Sequence, residues 1–224
     1  MDVNAQYNVA APDSLPVKIA AFQRRKMYEA FIVATGIQPE DSILDVGVTS
    51  DRSYDHSNYL VAWWPHKARI TAVGLDDARF LEEVYPGVRF VHADGRELPF
   101  EDNSFDFVHS SAVLEHVGSN DRQAQFLREL ARVARRGVFV TTPNRWFPVE
   151  FHTVLPLVHW LPRSAFRGLL RVFGKPFFAD EANLNLLGAG EVKRLAVRAG
   201  IKNPRLDTVA LGGWPTNLLL SAIK

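Results

Sequence analysis

Cysteine is absent from this chain. Without a thiol there is no disulfide, no thiolate nucleophile and no Cys-ligated zinc, so any chemistry must use oxygen, nitrogen or a bound cofactor. An excess of one charge is absent too. The 26 Lys and Arg stand against 25 Asp and Glu, a net charge of +1 at pH 7. Such a chain has no broad field for gripping a polyanion, which argues against a nucleic-acid partner. No run of about 18 apolar residues occurs, so nothing reads as a membrane-spanning helix. The opening residues, MDVNAQYNVAAPDS, lack the basic start and apolar stretch of a secretory signal, and a cytoplasmic location is the expectation.

What is present is the composition of an ordinary globular protein: 224 residues, 47 % apolar and 23 % charged. That length suits one domain over 1–224, burying roughly 70 % of the surface its unfolded chain exposes. The spacing predicts an amphipathic helix over 15–35, with Ile19, Phe22, Tyr28, Phe31 and Ile32 among its apolar positions and Gly36 as its stop. Strands are expected at 42–46, 69–75, 88–92, 105–109 and 138–141. Helices are expected around 58–64, at 120–134 and at 191–199; the second is capped by Ser119 or Asn120 and ended by Gly137. The tail offers strands near 205–211 and 217–223. This alternation implies an α/β, doubly wound, mostly parallel sheet with helices on both faces.

In an open sheet of this kind, ligands bind beyond the carboxyl ends of the strands. Here those ends read Asp45-Val46-Gly47, Asp76-Asp77, Asp94-Gly95-Arg96 and His109-Ser110-Ser111. Acids on three successive strands repel one another unless a ligand or donors occupy the cleft. An adenosine would give each a partner. Asp76 can accept both ribose hydroxyls, Asp94 can accept from the adenine amino group, and Asp45 can orient the loop or meet an ammonium. Asp also suits turns and caps, so each acid alone has a structural explanation; the three together favour a ligand.

The stretches ILDVG (43–47), AVGLDD (72–77), HADGRELPFEDNSFDFVHSSAVLEHV (92–117) and FLRELARVARRGVFVTTPN (126–144) are similar to the class I S-adenosylmethionine-dependent methyltransferases, in particular the small-molecule, type 11-like group. The likeness spans about 42–144 and resumes weakly at 191–224. It implies a Rossmann-like sheet of seven strands, the last antiparallel, with S-adenosyl-L-methionine as cofactor. By the same resemblance, Gly47 and the loop to Thr49 receive the methionine end, and Asp76, with Asp77 beside it, holds the ribose. Asp94 takes the adenine amino group, the Gly95 and Arg96 backbone lies beside the ring, and Ser110 or Ser111 lies near the sulfonium.

The family loop usually reads Asp-x-Gly-x-Gly-x-Gly, whereas Thr49 and Asp51 stand here in place of the later glycines. Asp45 and Asp76 are 31 residues apart, against about 20 in dinucleotide folds, so DRSYDHSNYL or thereabouts lengthens the first loop. Two readings follow. Thr49, Ser50 and the longer loop supply hydroxyl donors in place of glycine amides, with Tyr54 or Asn58 covering the cofactor; or the site is a relic, and the chain is a catalytically silent binding protein. The retained acids favour the first. A nicotinamide site is disfavoured, since this loop has no Gly-x-Gly-x-x-Gly turn for a pyrophosphate.

Between the fifth strand and the helix at 191 lies a connection of about forty residues, placed over the cleft as a substrate lid at about 145–187. Over 145–180 five bases (Arg145, Arg163, Arg167, Arg171, Lys175) oppose Glu150 and Asp180. Ser164 is expected to cap a helix running to Phe173. Arg163, Arg167 and Arg171 on that helix make it a candidate contact with an anionic membrane or a phosphate-bearing substrate, or else a solvated face on a packed lid. For an acceptor that must lose a proton, His116 and His152 are the first candidates for a base, followed by Glu150 and His109. No His and carboxylate cluster has metal-ligand spacing, so no metal is expected unless distant residues converge. The expected activity is methyl transfer to O, N or C of a small or lipid-linked acceptor.

Overall fold

The computed structural model describes residues 14–54 and 57–224. The opening residues to 13, and Asp55 and His56 of the lengthened first loop, lie outside them. A helix α1 (Leu15–Thr35) leads into β1 (Ile43–Val46), closed by Gly36 in the left-handed region at φ 57°. The chain then continues through α2 (Tyr59–Trp63), β2 (Ile70–Gly74), α3 (Phe80–Val84), β3 (Arg89–His92) and β4 (Phe105–Ser111). It goes on to α4 (Asn120–Val133), β5 (Ala134–Pro143), α5 (Arg163–Val172), α6 (Ala189–Arg198), β6 (Arg205–Leu211) and β7 (Trp214–Ile223).

The seven strands form one sheet in the order β3-β2-β1-β4-β5-β7-β6. β1 to β5 pair in parallel, while β7 runs antiparallel to both β5 and β6. This is the expected seven-stranded, mostly parallel sheet. Strand alternation decides which helix each side chain meets. Ile43, Ala72, Phe107, Phe139 and Leu219 pack with α1, α2 and α3, whereas Leu44, Val73, Val108, Val138 and Leu220 pack with α4 and α6. Phe31, Phe107 and Phe126 are fully buried, each contributing about 1.5–3 kcal/mol by leaving water. The edge strands β3 and β6 carry the exposed Arg89, Arg205 and Asp207, which discourage edge pairing.

Several boundaries differ from the sequence expectation; β7, for one, begins at Trp214 and not at 217. Gly137 does not end a helix. α4 gives way to β5 at Ala134, because pairing with Phe105 of β4 begins there. Gly137 sits inside the strand, where a Cβ would stand 2.7 Å from Ile223 Cδ1 and 3.0 Å from the Ala222 carbonyl. β4 runs to Ser111, so Ser110 and Ser111 lie within it and their side chains leave on opposite faces. Ser164 does not cap α5: the cap position is Pro162 and the helix begins at Arg163. The segment 145–187 gathers a small core of its own, Phe166, Leu170, Ala179, Leu184 and Leu186.

Candidate active site

Strand order reverses between β1 and β4, where the crevice of a doubly wound sheet opens. The turn leaving β1 is braced from within. Gly47 adopts φ 95°, and a Cβ on it would overlap the side chain of Val113 from the segment after β4. Packing inside the chain therefore requires this glycine independently of any ligand. Gly47 and Val48 both donate their N–H to the Val73 carbonyl, at 2.7 and 3.0 Å. Thr49 N–H donates to Asn58 Oδ1 at 2.8 Å and Asn58 Nδ2 donates back to the Thr49 carbonyl at 3.0 Å. Asp51 N–H donates to Thr49 Oγ1, while the Asp51 carboxylate accepts from Ser53 N–H and Ser57 Oγ. Asn58, expected with Tyr54 as a possible cover for the cofactor, also clamps Thr49.

Asp45 lies on the sheet face that packs with α1 and α2. Its carboxylate accepts from His109 Nδ1 at 2.7 Å. His109 Nε2 in turn lies 2.9 Å from the Tyr59 hydroxyl, and Phe31 packs edge-on to the imidazole. All three polar residues are buried, and burial raises the Tyr59 hydroxyl well above its ordinary range. His109, expected among the bases, is thus structural: it is 1 % exposed and its ring nitrogens are both engaged. Arg24 of α1 faces the same turn. Burial lowers its pKa, against the pull of Tyr59, Asp51 and Tyr54.

The other rim acids differ among themselves. Asp76 is partly buried at the end of β2. Asp77 is exposed and paired with Arg79 at 2.8 Å. Asp94 is gripped by its neighbour: Arg96 Nε lies 3.0 Å from both carboxylate oxygens and Arg96 N–H donates at 2.8 Å. The Arg96 hydrogen bond holds the Asp94 carboxyl below the ordinary carboxylate range. The amide of Arg96 and the carboxylate expected to accept from adenine are therefore already joined, and adenine must displace or share that fork. Gly95 packs where a Cβ would meet Phe126 Cε2 at 2.5 Å. Ser111 Oγ bonds Thr141 Oγ1 at 2.8 Å, whereas the Ser110 hydroxyl is buried on the opposite face with no hydrogen-bond partner.

Beyond β4 and β5 the structure joins residues far apart in sequence. Glu115 and His116 lie on a 3-10 turn, Leu114–His116, just after β4, and His152 reaches them from the segment 145–187, its Nε2 only 3.0 Å from His116 Nε2. Glu150 Oε1 accepts from His152 Nδ1 at 2.6 Å, and the Asn183 carbonyl accepts from His116 Nδ1 at 2.7 Å. Glu115 Oε2 accepts from Thr142 Oγ1 at 2.8 Å. Burial pushes Glu115 above the ordinary carboxylate range. Burial, with the charge of His152, brings His116 down to about 3. For the other pair burial is outweighed: Glu150's charge and hydrogen bond raise His152, and His152 brings Glu150 down to about 2. Glu115, His116 and His152 present ligand atoms within 4.8 Å of one another, the convergence of distant residues that sequence spacing left open. Glu115 and Tyr59 were missed from sequence. Only the adjacency of Glu115 to His116 hinted at the first, and nothing hinted at the second.

The basic face of the segment 145–187 is largely engaged. Arg163 bonds Asn185 Oδ1 at 2.8 Å and Glu191 Oε1 at 2.6 Å, and Arg167 pairs with Glu181 at 3.2 Å. The exposed character of the segment is apolar instead, through Val149, Phe151, Val154 and Leu157. Among the described residues no helix is long and apolar enough to cross a membrane.

Residues 44–141, from β1 to nearly the end of β5, match a family described as a methyltransferase domain. Over that stretch the chain is similar to methyltransferase domains. The demethylmenaquinone methyltransferase of Staphylococcus aureus (strain JH9) is 32 % identical over 133 residues, 56 % of this chain and 52 % of that protein. The chain thus spans about half the length of the curated relatives it matches. Two solved methyltransferases share the fold. Magnesium protoporphyrin IX methyltransferase of Synechocystis PCC 6803, with bound S-adenosylhomocysteine, has a TM-score of 0.60 at 14 % identity, over 98 % of this chain and 91 % of that one. A 1,6-didemethyltoxoflavin N1-methyltransferase of Burkholderia thailandensis has a TM-score of 0.58 at 17 % identity, over 96 % and 93 %.

Proposed function

We propose that this chain is a class I S-adenosylmethionine-dependent methyltransferase and moves a methyl group from S-adenosylmethionine to O, N or C of a small or lipid-linked acceptor. The observation that carries the reading is the rim itself: the reversal of strand order at β1 and β4 falls inside the matched segment and is flanked by Gly47, Asp76, Asp94 and Ser111. The residues fit the cofactor in kind. Asp76 accepts from the ribose hydroxyls, with Asp77 beside it. Asp94, once Arg96 yields an oxygen, accepts from the adenine amino group, and Gly95 keeps side-chain bulk from the ring. The turn from Gly47 to Thr49 faces the methionine end, and Ser111, rather than Ser110 on the far face, faces the sulfonium. The cofactor supplies an electrophilic methyl group, so the chain's own task is positioning and exclusion of water.

On the acceptor side stand His116 and His152, oriented by Asn183 and Glu150, where an acceptor O–H or N–H can lose its proton. The name of the Staphylococcus aureus relative supports a demethylated menaquinone as one acceptor to test. A lipid-linked acceptor is met through the exposed Val149, Phe151, Val154 and Leu157, while the engaged Arg163 and Arg167 stay with the lid. Calorimetry with S-adenosylhomocysteine checks the cofactor step. Micromolar binding to the wild type, weakened about tenfold or more in Asp76→Ala by loss of a pair of hydrogen bonds, is the expected result. A second reading, a silent binding protein, is favoured by one observation, the Arg96 fork already closed on Asp94; absence of any heat would establish it and remove the first.

A further inference from the structure

Three possible ligand atoms converge beyond β4 and β5, within 4.8 Å of one another. The Asn183 carbonyl can only accept, so His116 carries its proton on Nδ1 and presents a bare Nε2. His152 gives its Nδ1 proton to Glu150 Oε1, which also accepts from the His152 backbone N–H. His152 therefore also presents Nε2, 3.0 Å from its counterpart. Two such lone pairs repel at that distance unless a proton or a cation lies between them. The third atom is Glu115 Oε1. It is buried on a residue with 0 % exposure and has no hydrogen-bond partner, although Oε2 of the same carboxylate accepts from Thr142. It lies 3.9 Å from His116 Nε2.

We propose that Glu115 Oε1, His116 Nε2 and His152 Nε2 bind a divalent transition-metal cation of the zinc class. In a tetrahedral site with bonds of about 2.0 Å, neighbouring ligand atoms stand about 3.3 Å apart. The separations here, from 3.0 Å up to a limit of 4.8 Å, bracket that value. Two imidazoles and one carboxylate are a donor set that zinc accepts, and three protein ligands leave a position open for water or an acceptor oxygen. The outer partners are also those of a metal site: each imidazole is oriented through its other nitrogen, one by a carboxylate and one by a backbone carbonyl. The cation ties the lid, through His152, to the turn after β4. This inference concerns cation binding and leaves the cofactor rim untouched; with a cation on both Nε2 atoms, His116 and His152 act as ligands and no longer as bases, since their Nδ1 atoms are already engaged.

The test uses the purified chain after chelator treatment, titrated with Zn2+ alone and, for its visible spectrum, with Co2+. One ion per chain at micromolar affinity or better is expected. His152→Ala and Glu115→Gln should weaken binding by about 100-fold, and Glu150→Gln by about 10–100-fold, the range typical of losing an outer hydrogen-bond partner. X-ray absorption of the wild-type zinc complex, which needs no variant to fold, should show two imidazole nitrogens and a carboxylate oxygen. The absence of saturable binding, undiminished binding in both His152→Ala and Glu115→Gln, or an all-oxygen shell would each overturn the proposal.

Discussion

The two halves of the crevice rim solve the burial of polar groups in opposite ways. On the β1 to β3 side nearly every group singled out from sequence has a partner inside the chain. Asp45 is held with His109, Asp94 with Arg96, Asp77 with Arg79, and the loop amides with Val73 and Asn58. On the β4 to β5 side, Glu115 Oε1 and the Ser110 hydroxyl are buried with no hydrogen-bond partner, and two imidazole nitrogens face each other. An unmade hydrogen bond in a buried place costs about 1–3 kcal/mol. The first half is therefore built to hold the fold, and the second carries a cost that a ligand can relieve. On the β1 to β3 side, the groups conspicuous in sequence turn out to be the structurally satisfied ones.

Substitutions on the two halves should separate accordingly, as urea denaturation at constant slope would show. The largest effect is expected for Gly47→Ala. Strain at φ 95° and overlap with Val113 should together cost about 3 kcal/mol. Adding Val113→Ala should return the overlap part and leave about 1 kcal/mol from the backbone; no recovery would mean that Val113 is not what the turn packs against. Next comes Asp45→Ala, which strands His109 beneath Phe31 and should cost about 2 kcal/mol. A loss below about 0.5 kcal/mol would break the comparison from this side.

Asp94→Asn should be smaller, under about 1 kcal/mol, because the ion pair is about a third exposed. Its pH dependence has a definite sign. The folded Asp94 pKa is depressed below 3.8, so its contribution is present above 3.8 and fades as pH falls toward the depressed value. The gap between wild type and variant should close in acid. Smallest of all is Glu115→Gln. The amide can still accept from Thr142 and gains an N–H to offer the bare imidazole nitrogens, so stability should change by less than about 0.5 kcal/mol or rise. A loss of about 2 kcal/mol would show that the second half is as self-satisfied as the first.

Most of the framework was legible because it is local. Periodicity and stops placed 15–35 and the strands of 43–46, 89–92 and 205–211 within a residue or two. The exceptions are instructive. Gly137 has the look of a helix stop in sequence, but pairing of β5 with β4 and β7 overrides it. Ser110 and Ser111 read as equivalent, yet the two-residue period of a strand sends one to each face. The lid was legible as a basic helix, but not the ion pairs that engage Arg163 and Arg167, whose partners Glu191 and Glu181 lie 28 and 14 residues further on.

The sequence by itself determined the order of strands and helices, the acids at the strand ends and the likeness to a methyltransferase family, since each resides in spacing along a single stretch. Only the tertiary structure decided which acids are already held and which groups meet. Tyr59 and His109 are 50 residues apart, and His116 and His152 are 36 apart. Such pairs come together only when the sheet stacks its strands in space and the lid folds back over their ends, a register to which side-chain chemistry along the chain gives no key.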